Sequence, residues 1–388
     1  MTKKLIDRFS KLKKELLNNL HTEDMIVFES SPVFCDNAKA IYDEFARRNK
    51  NNKYSFIWIN TDLEAYVPQV KKNSKIVTCD LKTIIGRFKM DYYLHKAKMI
   101  VSSNQVFNKP RNKQYYFYAS HGTALKDTSR YNSLPSFVDG CLSVSNYYVQ
   151  YDSYNLNVDK NKVYPFGFPR TDYFFDDNHI DIENLFEKSG ISKTVIWMPT
   201  YRQHKNGEIE ASDIDFPIFH DQSSIIELNN YLLKNKVLLL ILPHYAQRKM
   251  LLSFDGFSNI IHLDNAYLLK KEIELYQVIK ETNALITDYS SIIIDYLLLD
   301  KPIGLCFEDY EIYKKKIGFV ENAEKVFSAG MKIYSQKDFY IFFDSIIEEE
   351  DDNKIIRNTV KEEILEYYDG KSAERTVDFL CEKLKEII

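Results

Sequence analysis

Glycine is scarce in this 388-residue sequence: there are only 11, against an ordinary share of about 7%. It contains no G-x-G-x-x-G and no G-x-x-x-x-G-K-[ST]. The common glycine-rich phosphate cradles are therefore excluded, and any phosphate site must be built another way. Cysteine is sparse too. The five residues Cys35, Cys79, Cys141, Cys306 and Cys381 include no C-x-x-C pair and are odd in number, which points to a reduced, cytoplasmic chain with buried thiols. No sign of charge dominates: 52 Lys and Arg stand against 56 Asp and Glu, a net charge of −4. That balance argues against a surface built to grip nucleic acid, and no nucleic-acid partner is expected. Long apolar runs are missing as well. The purest, Val237–Leu242, falls far short of the roughly 20 residues a membrane helix needs. The N-terminus has no apolar segment followed by a small-residue cleavage site, so no signal peptide is expected.

What is present has globular proportions, with 45% hydrophobic and 28% charged residues and an abundance of Tyr (28) and Phe (25). The length suggests about two domains. Residues 1–22 read as a basic amphipathic helix. Leu5, Phe9, Leu12, Leu16 and Leu20 make an apolar stripe among Lys3, Lys4, Arg8, Lys11, Lys13 and Lys14. Such a helix either lies on an anionic membrane surface through residues 3–20 or packs on the protein with its charged face in water. Residues 23–190 alternate short strands (Met25–Glu29, Tyr54–Asn60, Lys75–Cys79, Lys98–Ser102, Tyr115–Ser120, Gly140–Val144, Val163–Phe166) with helices such as Asp36–Lys50, Leu81–Lys96 and Asn146–Leu156. A second series over 191–335 has strands Thr194–Met198, Val237–Leu242, Asn259–Leu263, Ala284–Thr287 and Ile303–Phe307. Its helices are Ser224–Lys234, Lys271–Lys280, Ser290–Leu299 and Tyr310–Lys316. Residues 336–388 read as charged helices, and Gln203–Asp215 as a mobile polar loop over the cleft. The fold class is α/β: two Rossmann-like domains with parallel sheets facing a cleft, flanked by helical N- and C-terminal extensions.

In open parallel sheets ligands sit at the carboxyl ends of the strands, so the loops there carry the functional reading. After Tyr115–Ser120 comes His121-Gly122-Thr123-Ala124-Leu125-Lys126. Gly122 permits close backbone approach, Thr123 offers a hydroxyl, Lys126 adds positive charge, and a neutral His121 can take a proton from an attacking hydroxyl. A His that caps a turn is the alternative. Thr200 and Arg202, in Pro199-Thr200-Tyr201-Arg202, suit a phosphate through an O–H donor and a planar fork, unless Arg202 is an ordinary surface residue. His244, behind Pro243, is placed either to donate to a phosphate oxygen or to bond backbone. Thr287-Asp288-Tyr289-Ser290-Ser291 ends a strand and opens an apolar helix. Its free N–H groups and two hydroxyls make an anion site, with Ser290 alternatively a plain N-cap. Asp288 would repel a phosphate if it pointed inward, so a structural or hydrogen-bonding role comes first. Arg170, in Gly167-Phe168-Pro169-Arg170-Thr171-Asp172, either reaches the cleft or builds a rigid interdomain corner.

Taken in order, these loops resemble the CDP-glycerol glycerophosphotransferase family of bacterial teichoic-acid and capsule synthesis. The likeness runs over residues 25 to 320, through Val27-Phe28-Glu29-Ser30, Asn37-Ala38-Lys39-Ala40-Ile41-Tyr42, His121-Gly122-Thr123, Gly167-Phe168-Pro169-Arg170, Pro199-Thr200-Tyr201-Arg202, Pro243-His244, Thr287-Asp288-Tyr289-Ser290-Ser291, Asp295-Tyr296, Asp300-Lys301-Pro302 and Gly318-Phe319. The resemblance implies a fold of the glycosyltransferase-B type. It also implies a cytoplasmic enzyme, peripheral at the inner membrane face, that moves an alditol phosphate from CDP-glycerol or CDP-ribitol to a lipid-linked or polysaccharide acceptor and releases CMP. By that analogy His121 is the base, His244 contacts the donor phosphates, Ser290 and Ser291 bind the pyrophosphate, and Gly122, Thr123, Arg170, Thr200, Arg202 and Asp288 belong to the substrate site. Departures are Ala124 and Tyr245 where Pro is common, Leu242 where a basic residue is common, and Thr171 in place of Asn; they leave the alditol open. The compact length points to a primase-like or single-addition transferase.

Phosphoryl transfer of this kind needs an in-line hydroxyl, a base and positive or N–H groups around the phosphates. No Asp-x-Asp pair stands at the end of an expected strand, and neither a metal nor a cofactor is expected. Two rivals remain. A nucleotide-sugar glycosyltransferase of the same fold would use Glu308 or Asp309 on the ribose. A silent scaffold of polysaccharide assembly would not need both histidines.

Overall fold

The structure is a computed structural model that describes residues 13, 15–202, 214, 216–244, 247 and 252–387. Two parallel sheets form, because their central strands are short, nearly unbroken apolar runs buried on both faces, the pattern that helix-covered parallel sheets require. The first contains β1 (Met25–Glu29), β2 (Ser55–Asn60), β3 (Ser74–Thr78), β4 (Met99–Ser102), β5 (Tyr115–Tyr118), β6 (Gly140–Ser143) and β7 (Val163–Pro165), in the order β3-β2-β1-β4-β5-β6-β7. The second contains β8 (Lys193–Trp197), β9 (Val237–Ile241), β10 (Ile260–His262), β11 (Ala284–Thr287), β12 (Ile303–Cys306) and β13 (Met331–Ile333), in the order β10-β9-β8-β11-β12-β13. Both sheets follow the doubly-wound 3-2-1-4-5-6 sequence of the Rossmann fold. Each therefore has a switch point, between β1 and β4 in one and between β8 and β11 in the other, where the connections diverge and leave a crevice.

Aromatic packing fixes the helices to these sheets. Trp58 stacks on Phe28 at 5.2 Å, with Tyr42 and Phe34 edge-on to it, which seats the Asp36–Arg48 helix. In the second sheet Trp197 lies 4.6 Å from Phe216 and 4.9 Å from Phe339 of the Gln336–Glu348 helix.

Several local expectations change. β13 is an additional strand. Only three residues long, it is defined by its pairing with β12 rather than by any pattern of its own. The helix expected over Lys271–Lys280 is two helices, Asn265–Lys270 and Leu275–Glu281, separated where Glu272 takes a left-handed φ of 58° and Glu274 begins a new capping box. The amphipathic stripe lies largely outside the described residues, as does the Gln203–Asp215 loop apart from Ile214. Where the N-terminal segment is described, Leu17 is buried and Leu16 exposed. Lys13 pairs with Asp91, and Arg111 donates to the carbonyls of Leu17 and Asn18, so this turn is held on the protein.

The two halves meet in several places, two of them through the backbone path of the chain. The chain returns after the second sheet. The Ser372–Glu386 helix packs on the first domain, its Phe379 ring 4.2 Å from Tyr164 and 5.4 Å from Phe166. Beside the cleft, Leu125–Asp127 of the first domain pairs antiparallel with Gly318–Val320 of the second: the Asp127 N–H donates to the Gly318 carbonyl at 3.1 Å, and the Val320 N–H to the Leu125 carbonyl at 3.1 Å. Leu380, fully buried on the returning helix, anchors the first of these contacts. Leu380→Ala should lower stability by about 2–5 kcal/mol, read as a lower urea midpoint; an unchanged midpoint would show that the helix is not part of the cooperative core.

Candidate active site

A cavity of about 340 Å³ lies between the domains, lined by loops that follow β1, β4, β5, β8, β9 and β11. Its walls are thus the carboxyl ends of both sheets around their switch points, and its volume suits a nucleotide-sized ligand.

His121 enters from the first domain. Asn37, wholly buried, donates to the carbonyls of Ala119 (3.1 Å) and Ser120 (3.0 Å), fixing the end of β5. Ser120 then turns the chain with a left-handed φ of 55° and donates its hydroxyl to the Gly122 carbonyl at 2.8 Å. The imidazole Nδ1 lies 3.2 Å from the Ser103 carbonyl and 3.4 Å from the Tyr118 hydroxyl; donation to the carbonyl, the shorter contact, is the tautomer that puts the hydrogen on Nδ1 and leaves Nε2 its lone pair. The His121 ring stays open to solvent at the cavity, but the protein around it still pulls the imidazole pKa below its ordinary 6.5 by desolvation, with nearby Asp36 opposing. A neutral base at physiological pH is the result.

Across the cleft the second domain presents Ser290 and Ser291. The helix they precede is Ile292–Tyr296, continued by a 3-10 turn over Leu297–Leu299, so it starts later than expected and its dipole is short. Ser291 is the N-cap without a side-chain cap bond, and Ser290 Oγ sits 3.5 Å from the Ile292 N–H, too long for a strong bond. Both hydroxyls remain to serve a ligand. The two loops are in close contact here: a Cβ on Gly122 would stand 2.7 Å from Ser291 Oγ. Thr123, Lys126 and His244 line the same cavity. The His244 ring packs 4.9 Å from Tyr201.

Two expected site residues, Arg202 and Asp288, face away from the cavity, and two that line it, Thr200 and Arg170, are already engaged by protein groups. Arg202 is fully buried. Its Nε and Nη2 donate to Asp309 (2.8 and 3.1 Å), and its Nη1 to Asp288 (2.5 Å) and the Thr200 carbonyl (2.9 Å). Burial lowers its pKa, but the two carboxylates outweigh burial and hold it above the ordinary value. Asp288 is likewise buried and accepts from the Thr200 and Tyr289 N–H groups, so it braces the loops from behind rather than touching a ligand. Thr200 lines the cavity, but its one hydroxyl proton goes to Asp288, which removes the donor expected there. Arg170 takes the interdomain-corner role. Its Nη1 reaches Asp36 and the His121 carbonyl, each at 2.7 Å, and its Nε and Nη2 reach Asp295 of the second domain at 3.1 and 2.7 Å. Thr171, which stands where the family usually has Asn, donates to the Phe168 carbonyl at 2.7 Å and closes the same corner.

The supporting carboxylates Asp36 and Asp295 were not expected as site residues, and Asp309 was expected only on the ribose in the rival glycosyltransferase reading. Asp295 had a signal, as an acid inside the apolar run Ile292–Leu299, where only a buried cation could justify it. Among the described residues no group of three or more His, Cys, Asp or Glu side chains could hold a metal ion. Removing the Arg202 charge leaves two buried carboxylates without their partner. Arg202→Met should cost about 3–5 kcal/mol and lower the thermal midpoint, whereas Ser290→Ala should leave that midpoint within a degree or two. Equal midpoints for the two variants would contradict this division of roles.

Comparison with known proteins agrees with this geometry. The chain is 27% identical over 235 residues to a teichoic acid ribitol-phosphate primase of Bacillus spizizenii, covering 58% of this chain and 54% of the relative. It is 25% identical over 375 residues to the teichoic acid ribitol-phosphate polymerase TarL of Staphylococcus aureus, covering 90% and 60%. It thus spans little more than half the length of either. The solved structure of the wall teichoic acid polymerase TagF superposes with a TM-score of 0.73 at 19% identity, over 99% of this chain and 96% of that one, which shows a shared fold of the glycosyltransferase-B type. The family model for CDP-glycerol:poly(glycerophosphate) glycerophosphotransferases matches residues 12–382, and the chain belongs to that family.

Proposed function

We propose that the protein transfers an alditol phosphate, glycerol phosphate before ribitol phosphate, from a CDP-alditol to an acceptor hydroxyl and releases CMP. The acceptor is a lipid-linked teichoic-acid or capsular polysaccharide chain, met at the inner face of the membrane. The observation that carries this reading is the convergence on one cavity of a neutral histidine with a free Nε2 lone pair, His121, and the hydroxyls of Ser290 and Ser291 opposite it. Family membership and curated relatives named for both glycerol-phosphate and ribitol-phosphate transfer support the donor class.

In this mechanism His121 Nε2 takes the proton of the acceptor hydroxyl. The acceptor oxygen forms a bond to the β-phosphorus of the donor. The bond from that phosphorus to the bridging oxygen breaks, and its electron pair leaves with CMP. His244 and the two serine hydroxyls hold the phosphate oxygens while charge moves onto the leaving group, without a divalent ion or cofactor. Asp36 and Arg170, at the cavity wall, orient His121 through its carbonyl and its field.

The glycosyltransferase alternative has less support. Asp309 is taken up by Arg202 and Tyr289, and Glu308 accepts from the Ile218 N–H and His220, so neither is free for a ribose.

The test is CMP release from CDP-glycerol and CDP-ribitol, with crude bacterial glycolipid as acceptor and with or without chelator. Turnover with one donor, insensitive to chelator and reduced about 10²- to 10⁴-fold in His121→Ala, is expected. Release from neither donor, with nucleotide released from a sugar donor instead, would transfer the assignment to the glycosyltransferase class. Because a base must be unprotonated and the His121 pKa is depressed, kcat should hold through neutrality and fall only below pH 6.5. An acid limb centred above about pH 7 would remove His121 from the base role.

A further inference from the structure

Lys126 has no place in the mechanism above, yet the fold delivers it to the cavity with care. It belongs to the first domain, on the loop that begins at His121. Its backbone forms the antiparallel bridge with Phe319 of the second domain, flanked by the Asp127–Gly318 and Leu125–Val320 hydrogen bonds. Those bonds fix its position relative to both halves. Leu125 on one side is buried, while the Lys126 side chain lines the cavity and carries its ammonium over the Tyr313 ring, 5.7 Å from the centroid.

The ammonium has no carboxylate within ion-pair distance among the described residues. Asp288, whose charge acts on it, is engaged by Arg202. Enclosure without a paired anion pulls its pKa from 10.5 to about 8; Asp288 opposes that shift and Arg202 adds to it. A second group in the same cavity is also incomplete. Thr123 is 7% exposed, and its Oγ1 is buried with no hydrogen-bond partner. A cation lacking its anion and a hydroxyl lacking its acceptor, three residues apart on one loop, share a single chemical complement: an oxyanion.

We propose that Lys126, with the Thr123 hydroxyl, is a phosphate-binding pair that grips the non-bridging oxygens of the donor pyrophosphate from the acceptor-side domain, opposite Ser290 and Ser291. The inference rests on the functional reading above and adds a residue to it. Its physical consequence is that donor phosphate and interdomain pairing support each other, because the phosphate is held by groups from both halves. The competing role for Lys126 is to offset the surplus negative charge where one guanidinium faces two carboxylates, with no ligand contact.

Titration calorimetry separates the two, with CMP, CDP-glycerol, inorganic pyrophosphate and cytidine as probes. Lys126→Met should weaken the three phosphate-bearing probes about 10- to 100-fold and leave cytidine unchanged; Thr123→Val should weaken them about 3- to 10-fold. Lys126→Arg should recover part of the affinity. Should the Met variant unfold, Lys126→Gln keeps a polar chain in the slot and carries the same expectation. Unchanged phosphate affinity in a folded variant, or a wild-type protein that binds none of the three phosphate probes, overturns the proposal. Wild-type protein that binds pyrophosphate through Lys126 but releases CMP from neither CDP-alditol overturns the donor reading alone.

Discussion

One guanidinium joins the halves of this molecule, and the geometry of the cleft depends on it. Arg170 is 6% exposed and bridges Asp36 of the first domain to Asp295 of the second, while its Nη1 also reaches the carbonyl of His121. Burial alone would pull its proton off more easily; the two carboxylates reverse that and hold it charged. Tyr276 adds a hydrogen bond to the same Asp295 oxygen at 2.5 Å, and the Phe168 ring lies 4.9 Å from the guanidinium carbon. A buried ion network of this kind contributes less to net stability than to uniqueness, because any rearrangement strands a charge away from water. The position of His121 is therefore tied to the docking of one domain on the other.

Charge is partitioned by depth around the cavity. Compensated clusters brace its walls: Arg170 with Asp36 and Asp295, where the Arg170–Asp36 pair reaches the cavity, and Arg202 with Asp288 and Asp309, which lies behind it. Facing the cavity are neutral or uncompensated donors: His121, Ser290, Ser291, Thr123 and Lys126. Asp288, Asp295 and Asp309 are thereby turned away from the ligand, and Arg202 is made unavailable to it. A planar fork is the natural guess for a phosphate ligand, but here both forks serve as internal braces.

Much of this architecture was legible in the sequence. Strand positions followed from short apolar runs bounded by polar punctuation, and the parallel order from their alternation with helices. The loops that line the cavity followed from the rule that ligands sit at carboxyl strand ends. What could not be read was facing. Arg202 and Asp288 stand in loops of the right kind, yet their side chains turn toward each other beneath the wall, a choice set by pairing across 86 residues of sequence. The same limit applies to Leu16 and Leu17, where a helix face was chosen by the surface it met. It applies again to β13, too short to carry a pattern. The break at Glu272 required a left-handed residue that was not glycine, which composition does not announce.

The returning C-terminal helix makes the second domain, in chain order, an insertion within the first. Tyr115, Tyr164 and Phe166 belong to strands or loops made before residue 170, but the ring that covers them, Phe379, comes more than 200 residues later. During synthesis the second sheet can close on Gln336–Glu348 as soon as that helix emerges, whereas the first must wait with an aromatic face open until the last helix is made. The half that holds the proposed base is thus the last to be completed. A chain cut short anywhere before residue 372 would leave the first domain with that aromatic patch in water, a target for the cell's quality-control machinery.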